Sequence, residues 1–312
     1  MMPMVDADNI RSSFEKNGYK SAIVSIGKLR ELENHIQHFV RQGSFDEVFY
    51  RERLTHFNFH YRNILPNAQS IIIATVRQPI VRVTFEFRGQ VYPATIPPTY
   101  DSLTDKTVIQ LLQGLIEPGG FHCAEIHLPE KLLLVFTGLA KYGKNNIAYV
   151  EGMGSFHRPV SFISDAPLDE TEWVPLENHE RCQKCRVCIQ FCPTGAITDE
   201  HFLLNAGKCL TYHNESGRSF PDWIRKEWHN CLIGCMICQI HCPLNKSHIN
   251  QIRHVASFSE QETMEILNER NPENLSRSTA DKLKRTGLMD DYPLLGRNLR
   301  ALLQRSVSSS LS

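Results

Sequence analysis

Apolar residues recur along the first 170 positions in two rhythms. The period-two rhythm marks strands. Ala22, Val24 and Ile26 share one face of residues 20–26, which predicts a half-buried strand. Residues 70–76 are almost continuously apolar, as in a central strand buried on both faces. Residues 81–87 alternate, Arg88-Gly89-Gln90 turns, and the alternation resumes at Val91, which predicts a hairpin. The helical rhythm occupies 7–16, 28–40 and 103–116, the last closed by Pro118-Gly119-Gly120. A strand at 121–127, a helix at 129–138 and strands at 146–150 and 159–164 complete the series. Helices and strands mixed in this way predict an α+β (mixed α/β) domain over 1–170. Helical periodicity returns at 263–267 and 294–303, so 249–312 reads as a short helical tail, with 306–312 expected to be disordered.

Neither rhythm holds from 171 to 248, where cysteine spacing organises the chain instead. Nine of the ten cysteines of this 312-residue chain lie in that stretch. Cys182, Cys185, Cys188 and Cys192, followed by Pro193, form C-x2-C-x2-C-x3-C-P, the spacing of a bacterial [4Fe–4S] ferredoxin motif. Cys235, Cys238 and Cys242, followed by Pro243, form a second run that lacks one ligand, and Cys209 upstream can supply it. In such a pair the last cysteine of each run crosses to the other cluster. One cluster is then assigned to Cys182, Cys185, Cys188 and Cys242, the other to Cys192, Cys209, Cys235 and Cys238. Cys231, four residues before Cys235, competes with Cys209 for that role. Cys123 stands apart and reads as a small buried apolar residue. Zinc sites favour well-separated C-x2-C pairs and do not explain this spacing. A disulfide framework needs an oxidising compartment, whereas the start MMPMVDADNI has neither basic nor apolar leader character.

Charge adds little. Lys plus Arg and Asp plus Glu are 34 each, so no global field favours nucleic acid or membrane. Residues 251–312 carry nine basic and eight acidic side chains, no footprint for an RNA backbone. The apolar runs are too short to span a bilayer. Reduced cysteines without a targeting segment point to the cytoplasm.

The cysteine runs RCQKCRVCIQFCPTGAI and GCMICQIHCPLNK, the lone Cys209, LPNAQSIIIATV and GLAKYGKNNIAYVEGMGSFHRPVSFISD together resemble the epoxyqueuosine reductase family, which is related in its core to reductive dehalogenases. The tail segment GLMDDYPLLGRNLRALL is similar to part of a helical-repeat ending. The resemblance implies cobalamin beside two [4Fe–4S] clusters, single electrons supplied by a low-potential donor such as ferredoxin or flavodoxin, and epoxyqueuosine in tRNA as substrate. The Gly-rich stretch, with Gly138, Gly143, Gly152 and Gly154, either serves turns or lets backbone approach a macrocycle. Beside the cluster motifs it reads as cofactor contact, with Gly143, Lys144, Asn145, Gly154 and Ser155 as cofactor-binding residues. No D-x-H-x-x-G motif is present to ligate cobalt through histidine, in keeping with base-off cobalamin.

The chain departs from the family where the proton is handled. Ala124 stands where the resemblance expects a proton-donating Asp, with Glu125 beside it. Tyr100-Asp101 stands where the family has Tyr-His, and Leu244 where it has Trp. Glu125 and Tyr100 are therefore the catalytic candidates; Glu125 and His127 share a strand face and could pair. Three functions compete: an epoxyqueuosine-type reductase, a cobalamin-dependent reductase of another organic substrate, and an electron-transfer protein that reduces a partner's corrinoid or flavin. A flavin would also suit a mixed α/β domain, although no G-x-G-x-x-G is present.

Overall fold

The computed structural model describes residues 5–100, 102–168, 171–200 and 202–309. In chain order the elements are α1 (Ala7–Lys16), β1 (Tyr19–Ser25), α2 (Lys28–Arg41), the single turn α3 (Glu47–Phe49), β2 (Ser70–Arg77), β3 (Ile80–Phe87), β4 (Gln90–Ile96), α4 (Leu103–Ile116), β5 (Cys123–Glu125), α5 (Glu130–Phe136), β6 (Ala140–Tyr142), β7 (Ala148–Val150) and β8 (His157–Ser164). They continue with α6 (Val187–Phe191), α7 (Leu210–Glu215), α8 (Ile237–Ile240), β9 (Ile252–Phe258), α9 (Glu260–Asn268), α10 (Arg277–Arg285) and α11 (Tyr292–Ser309). No helix among the described residues is long and apolar enough to cross a membrane.

The chain divides into two compact units that are discontinuous in sequence. The first comprises Met1–Gln78, Ser102–Arg186 and Asp199–Leu203; the second comprises Pro79–Asp101, Val187–Thr198 and Leu204–Ser312. A linear division at 170 and 248 does not coincide with these units, because the β3–β4 hairpin pairs with β9 far along the chain.

The first unit is built on an antiparallel sheet of order β1-β2-β8-β5. β2 lies inside it, and seven of its eight residues are buried. Alternate side chains serve opposite faces, as the pleat requires. Ile71 and Ile73 pack with Ala22, Val24, Ile163, Leu32 of α2 and Leu133 of α5. Ile72 and Ala74 pack with Ile23, Phe162, Phe14 of α1 and Leu112 of α4. Two helical layers on one sheet explain why β2 reads as continuously apolar. The expected strand at 121–127 is reduced to three residues, since His122 N–H donates to the Asp165 side chain and the His127 carbonyl accepts from Asn58. The strand expected from 146 begins at Ala148, because Asn146 takes φ +56 in the β6–β7 turn.

The second unit contains a sheet of order β4-β3-β9 with β9 parallel to β3. Val83, Phe85 and Ile96 pack with Phe258, Ile266, Leu283, Leu295 and Leu299 in one core. Phe85 stacks on Phe258 with ring centroids 4.9 Å apart. Ser259 and Glu262 close a capping box at the start of α9. The C-terminal region is therefore not purely helical: it supplies a strand and adds α10 to the helices expected. Helix α11 runs through Ser309, and the rest of the segment expected to be disordered, 310–312, lies outside the described residues.

Candidate metal centre

Among the described residues between Val187 and Asn245 the chain forms short helices and turns that carry the cysteines, while Leu232 and Ile233 join the apolar core of the second unit. Cys192 closes the turn after α6, Cys209 is the N-cap of α7, and Cys235 and Cys238 flank the start of α8. All four belong to the second unit. The Cys209 thiol feels Cys192 electrostatically, and the Cys235 thiol feels both Cys209 and Cys192. The last cysteine of the first run thus stands with the thiols of the second. Burial raises the Cys209 thiol and pushes Cys235 up to about 11, so metal loading must release these protons. Among the described residues no three His, Cys, Asp or Glu stand as close as a single metal ion needs. Zinc would crowd its thiolates at about 2.3 Å from one centre; a four-iron cluster puts each thiolate on its own iron and spreads them. Four thiols carried on short turns are the donor set of an iron–sulfur cluster. Cys182 and Cys185 fall in the first unit, as the division passes through the first run after Arg186.

Cys231 is enclosed, and its Sγ donates to Asn230 Oδ1 at 3.1 Å. Burial holds this thiol well above its ordinary range. It is a packed thiol turned toward an amide.

The C-terminal helix α11 ties down this region. Arg297 Nη2 donates to the carbonyls of His213 (3.1 Å) and Asn214 (2.9 Å), and its guanidinium lies 4.1 Å from the Phe220 ring centroid. Asn298 Nδ2 donates to the carbonyls of Asn214 and Leu232, and Arg305 donates to that of His229. Asn214 in turn donates to the carbonyls of Cys231 and Gly234. The loop ahead of Cys235 therefore has few free backbone acceptors.

The remaining sequence-derived candidates divide between the two units. Tyr100, in the second unit, donates to Glu215 Oε1 and packs on Gly234, whose missing Cβ would meet the Tyr100 hydroxyl at 2.5 Å. Burial and the Glu215 carboxylate hold Tyr100 well above its usual range, so it is a poor acid placed to brace the loop. Asp101 lies outside the described residues. Glu125, in the first unit, ends β5 and is exposed. His127 leaves the strand and packs on Phe57 at 5.2 Å, so no Glu125–His127 pair forms. His157 is a satisfied core residue: it lies 2.7 Å from Thr75 Oγ1 and 3.0 Å from the Ala148 carbonyl, and burial lowers it to about 4.

The Gly-rich segment folds as the β6–β7 hairpin and the turn into β8. Gly143 is required by its own neighbours, since a Cβ there would collide with the Tyr149 ring and Asn145 Oδ1. Lys144 Nζ pairs with Asp199 at 2.6 Å, and Arg186 holds the other oxygen of that carboxylate. Asn145 is buried and donates to the Tyr149 hydroxyl at 3.0 Å. Ser155 is buried, and Gly154 takes φ +60 in the turn. These five residues shape the hairpin and the turn after it, and the side chains of Lys144 and Asn145 are already engaged.

One acid escaped the sequence reading. Glu130, at the first position of α5, lies 3.1 Å from Ser161 Oγ, near the bidentate Asp105–Arg158 pair (2.8 and 2.6 Å). Burial raises its carboxyl to about 7. Ser161 Oγ has one proton and donates it to the Ile126 carbonyl at 2.7 Å, so a protonated Glu130 donates to Ser161. The only sequence signal was an acid opening an apolar helix, which ordinarily marks a helix start.

Comparison with known proteins agrees with this arrangement. Residues 181–245 match the profile of a 4Fe-4S double cluster binding domain. Over 300 residues, covering 90% of this chain and 81% of the relative, the sequence is 26% identical to epoxyqueuosine reductase of Pseudomonas aeruginosa. Local matches to seven other epoxyqueuosine reductases are 31–44% identical but span only 22–37% of those chains. The fold is similar to that of epoxyqueuosine reductase from Bacillus subtilis, solved with its catalytic aspartate loop swung out of the active site (TM-score 0.66, 18% identity, 96% of this chain and 81% of that one). It is also similar to that of an epoxyqueuosine reductase solved with an epoxyqueuosine-modified tRNA stem loop (TM-score 0.64, 18% identity, 96% and 80%). Sequence likeness along nine-tenths of its length, the cluster-domain match and the shared fold make this chain similar to the epoxyqueuosine reductases.

Proposed function

We propose that this chain is an iron–sulfur oxidoreductase that passes single electrons through two [4Fe–4S] clusters to a reducible centre. Cys182, Cys185, Cys188 and Cys242 hold one cluster; Cys192, Cys209, Cys235 and Cys238 hold the other. The observation that carries this reading is the grouping of Cys192 with Cys209 and Cys235, the crossing expected of interlocked cluster motifs. The cofactor that the resemblance implies is a base-off cobalamin, which when bound supplies a metal able to take single electrons and deliver them to carbon. The substrate is the epoxide of epoxyqueuosine in tRNA, as the names of the relatives suggest. Its conversion to the alkene consumes two electrons and two protons and releases water. A ferredoxin or flavodoxin supplies the electrons, and the protein resides in the cytoplasm. Glu125, exposed at the end of β5, is the proton donor in this reading. Glu125→Gln should keep iron and corrinoid while lowering turnover by roughly two to four decades.

The test is anaerobic reconstitution followed by iron analysis, a visible spectrum with added cobalamin, and assay on epoxyqueuosine-containing tRNA. About eight iron per chain, a spectral shift on cobalamin binding and loss of the epoxide support the reading. Zinc, or four iron or fewer, removes it. One observation favours a second reading: Lys144, Asn145 and Tyr100 are already engaged within the chain. Eight iron without cobalamin binding would make this an electron-transfer protein that serves a partner's corrinoid or flavin.

A further inference from the structure

The sulfurs of Cys192, Cys209 and Cys235 are surrounded by hydrogen-bond donors, and one of them is fixed from every side. Asn230 Nδ2 lies 3.2 Å from Cys235 Sγ and 3.0 Å from the Trp228 carbonyl. Its Oδ1 accepts from Met236 N–H at 2.9 Å and from Cys231 Sγ at 3.1 Å. A backbone N–H can only donate and a carbonyl can only accept, so Met236 and Trp228 set the orientation of the amide. One Nδ2 hydrogen goes to Trp228, and the other points to the sulfur. Around the same site Thr194 Oγ1 lies 3.4 Å from Cys192 Sγ. Cys209 receives the N–H groups of Thr211 and Tyr212 and the Thr211 hydroxyl, and Cys235 also receives the N–H of Ile237.

A donor on a ligating thiolate withdraws charge from the cluster and favours the state with one more electron. On the two-cluster reading, we infer that Asn230 is a positioning residue that raises the reduction potential of the cluster held by Cys192, Cys209, Cys235 and Cys238. Its place beside Cys231 gives that cysteine a purpose without ligation: the buried S–H fills the second lone pair of Oδ1 and helps lock the amide toward Cys235.

Potentiometric titration of the reconstituted protein, followed by electron paramagnetic resonance, tests this. Asn230→Asp replaces the donor with an acceptor at nearly constant volume. With eight iron retained, one of the two clusters should show at least a tenfold lower reduced-to-oxidised ratio at a fixed potential, about 59 mV for a one-electron couple. The other cluster should not move. Full iron content with both potentials unchanged overturns the inference. Should the variant lose iron, wild-type protein labelled with 15N only at asparagine side-chain amides decides the matter. Its reduced clusters should show a 15N hyperfine coupling in pulsed resonance, and absence of that coupling overturns the inference. If wild-type protein itself fails to bind eight iron, the two-cluster reading is what fails.

Discussion

The sheet of the first unit and the cysteine-bearing part of the second are held together by different physics. β2 buries seven of eight residues between two helical layers. At roughly 1.5–3 kcal/mol per large side chain, such a sheet needs nothing but its own sequence. Among the described residues from Val187 to Asn245 no helix exceeds six residues, too short to stand alone. Order there comes from a few buried apolar residues such as Leu232 and Ile233, from carbonyls tied to side chains, from α11, and from whatever bridges the thiols. Apolar burial gives a region independence; ligation gives it a geometry that is complete only when the metal is in place.

The largest expected effect follows directly. Removing iron with a chelator under anaerobic conditions should collapse amide-exchange protection across 187–245 while β2 and β8 stay protected. Equal protection in both forms would show that the cysteine segment folds without metal. The next effect is local to ligation. Cys209→Ala should lose about half of the iron, whereas Cys231→Ala should keep it all; the reverse result would exchange the roles of these two residues. Phe162→Ala acts on the other side of the comparison. Loss of this fully buried ring should cost about 3–5 kcal/mol in denaturant unfolding of the first unit, while folded protein keeps its full iron.

The smallest effect is a pH dependence. Glu130, raised from 4.5 to about 7, binds its proton more tightly in the folded state. Its contribution is fully present below about 4.5 and is lost as pH rises through about 7, worth at most about 3 kcal/mol. His157, lowered from 6.5 to about 4, has the opposite slope: its contribution is present above 6.5 and is lost as pH falls toward 4. The two oppose one another between about 4.5 and 6.5. Glu130→Gln should therefore stabilise the first unit above pH 7 and make its stability fall more steeply in acid, read as denaturation midpoints against pH.

The parts legible in the sequence are those in which one force dominates. Residues 7–16, 70–76 and 103–116 announce themselves because one stripe or both faces are apolar, and the cysteine spacing because iron tolerates few alternatives. β9 was illegible because only Phe258 of its seven residues is buried; an edge strand has no strong alternation. α10 was missed because little besides Thr279 and Leu283 anchors it. At the candidate site, Asn230 and Glu130 owe their meaning to partners that no local pattern reveals. Tyr100 had the right chemistry for an acid, but Glu215 and Gly234, far along the chain, redirect it to bracing a loop.

The grip of α11 on the cysteine loop also imposes an order in time. Arg297, Asn298 and Arg305 are the fasteners of carbonyls around His213, His229 and Leu232, and they are translated some sixty residues after Cys235. At about 5–20 residues per second, the thiols emerge from the ribosome several seconds before the helix that fixes their loop. During that interval they are open to oxidation and to the wrong metal. Iron insertion, which completes the geometry, therefore belongs after α11 has docked, and starving a growing cell of iron should harm newly made chains far more than old ones.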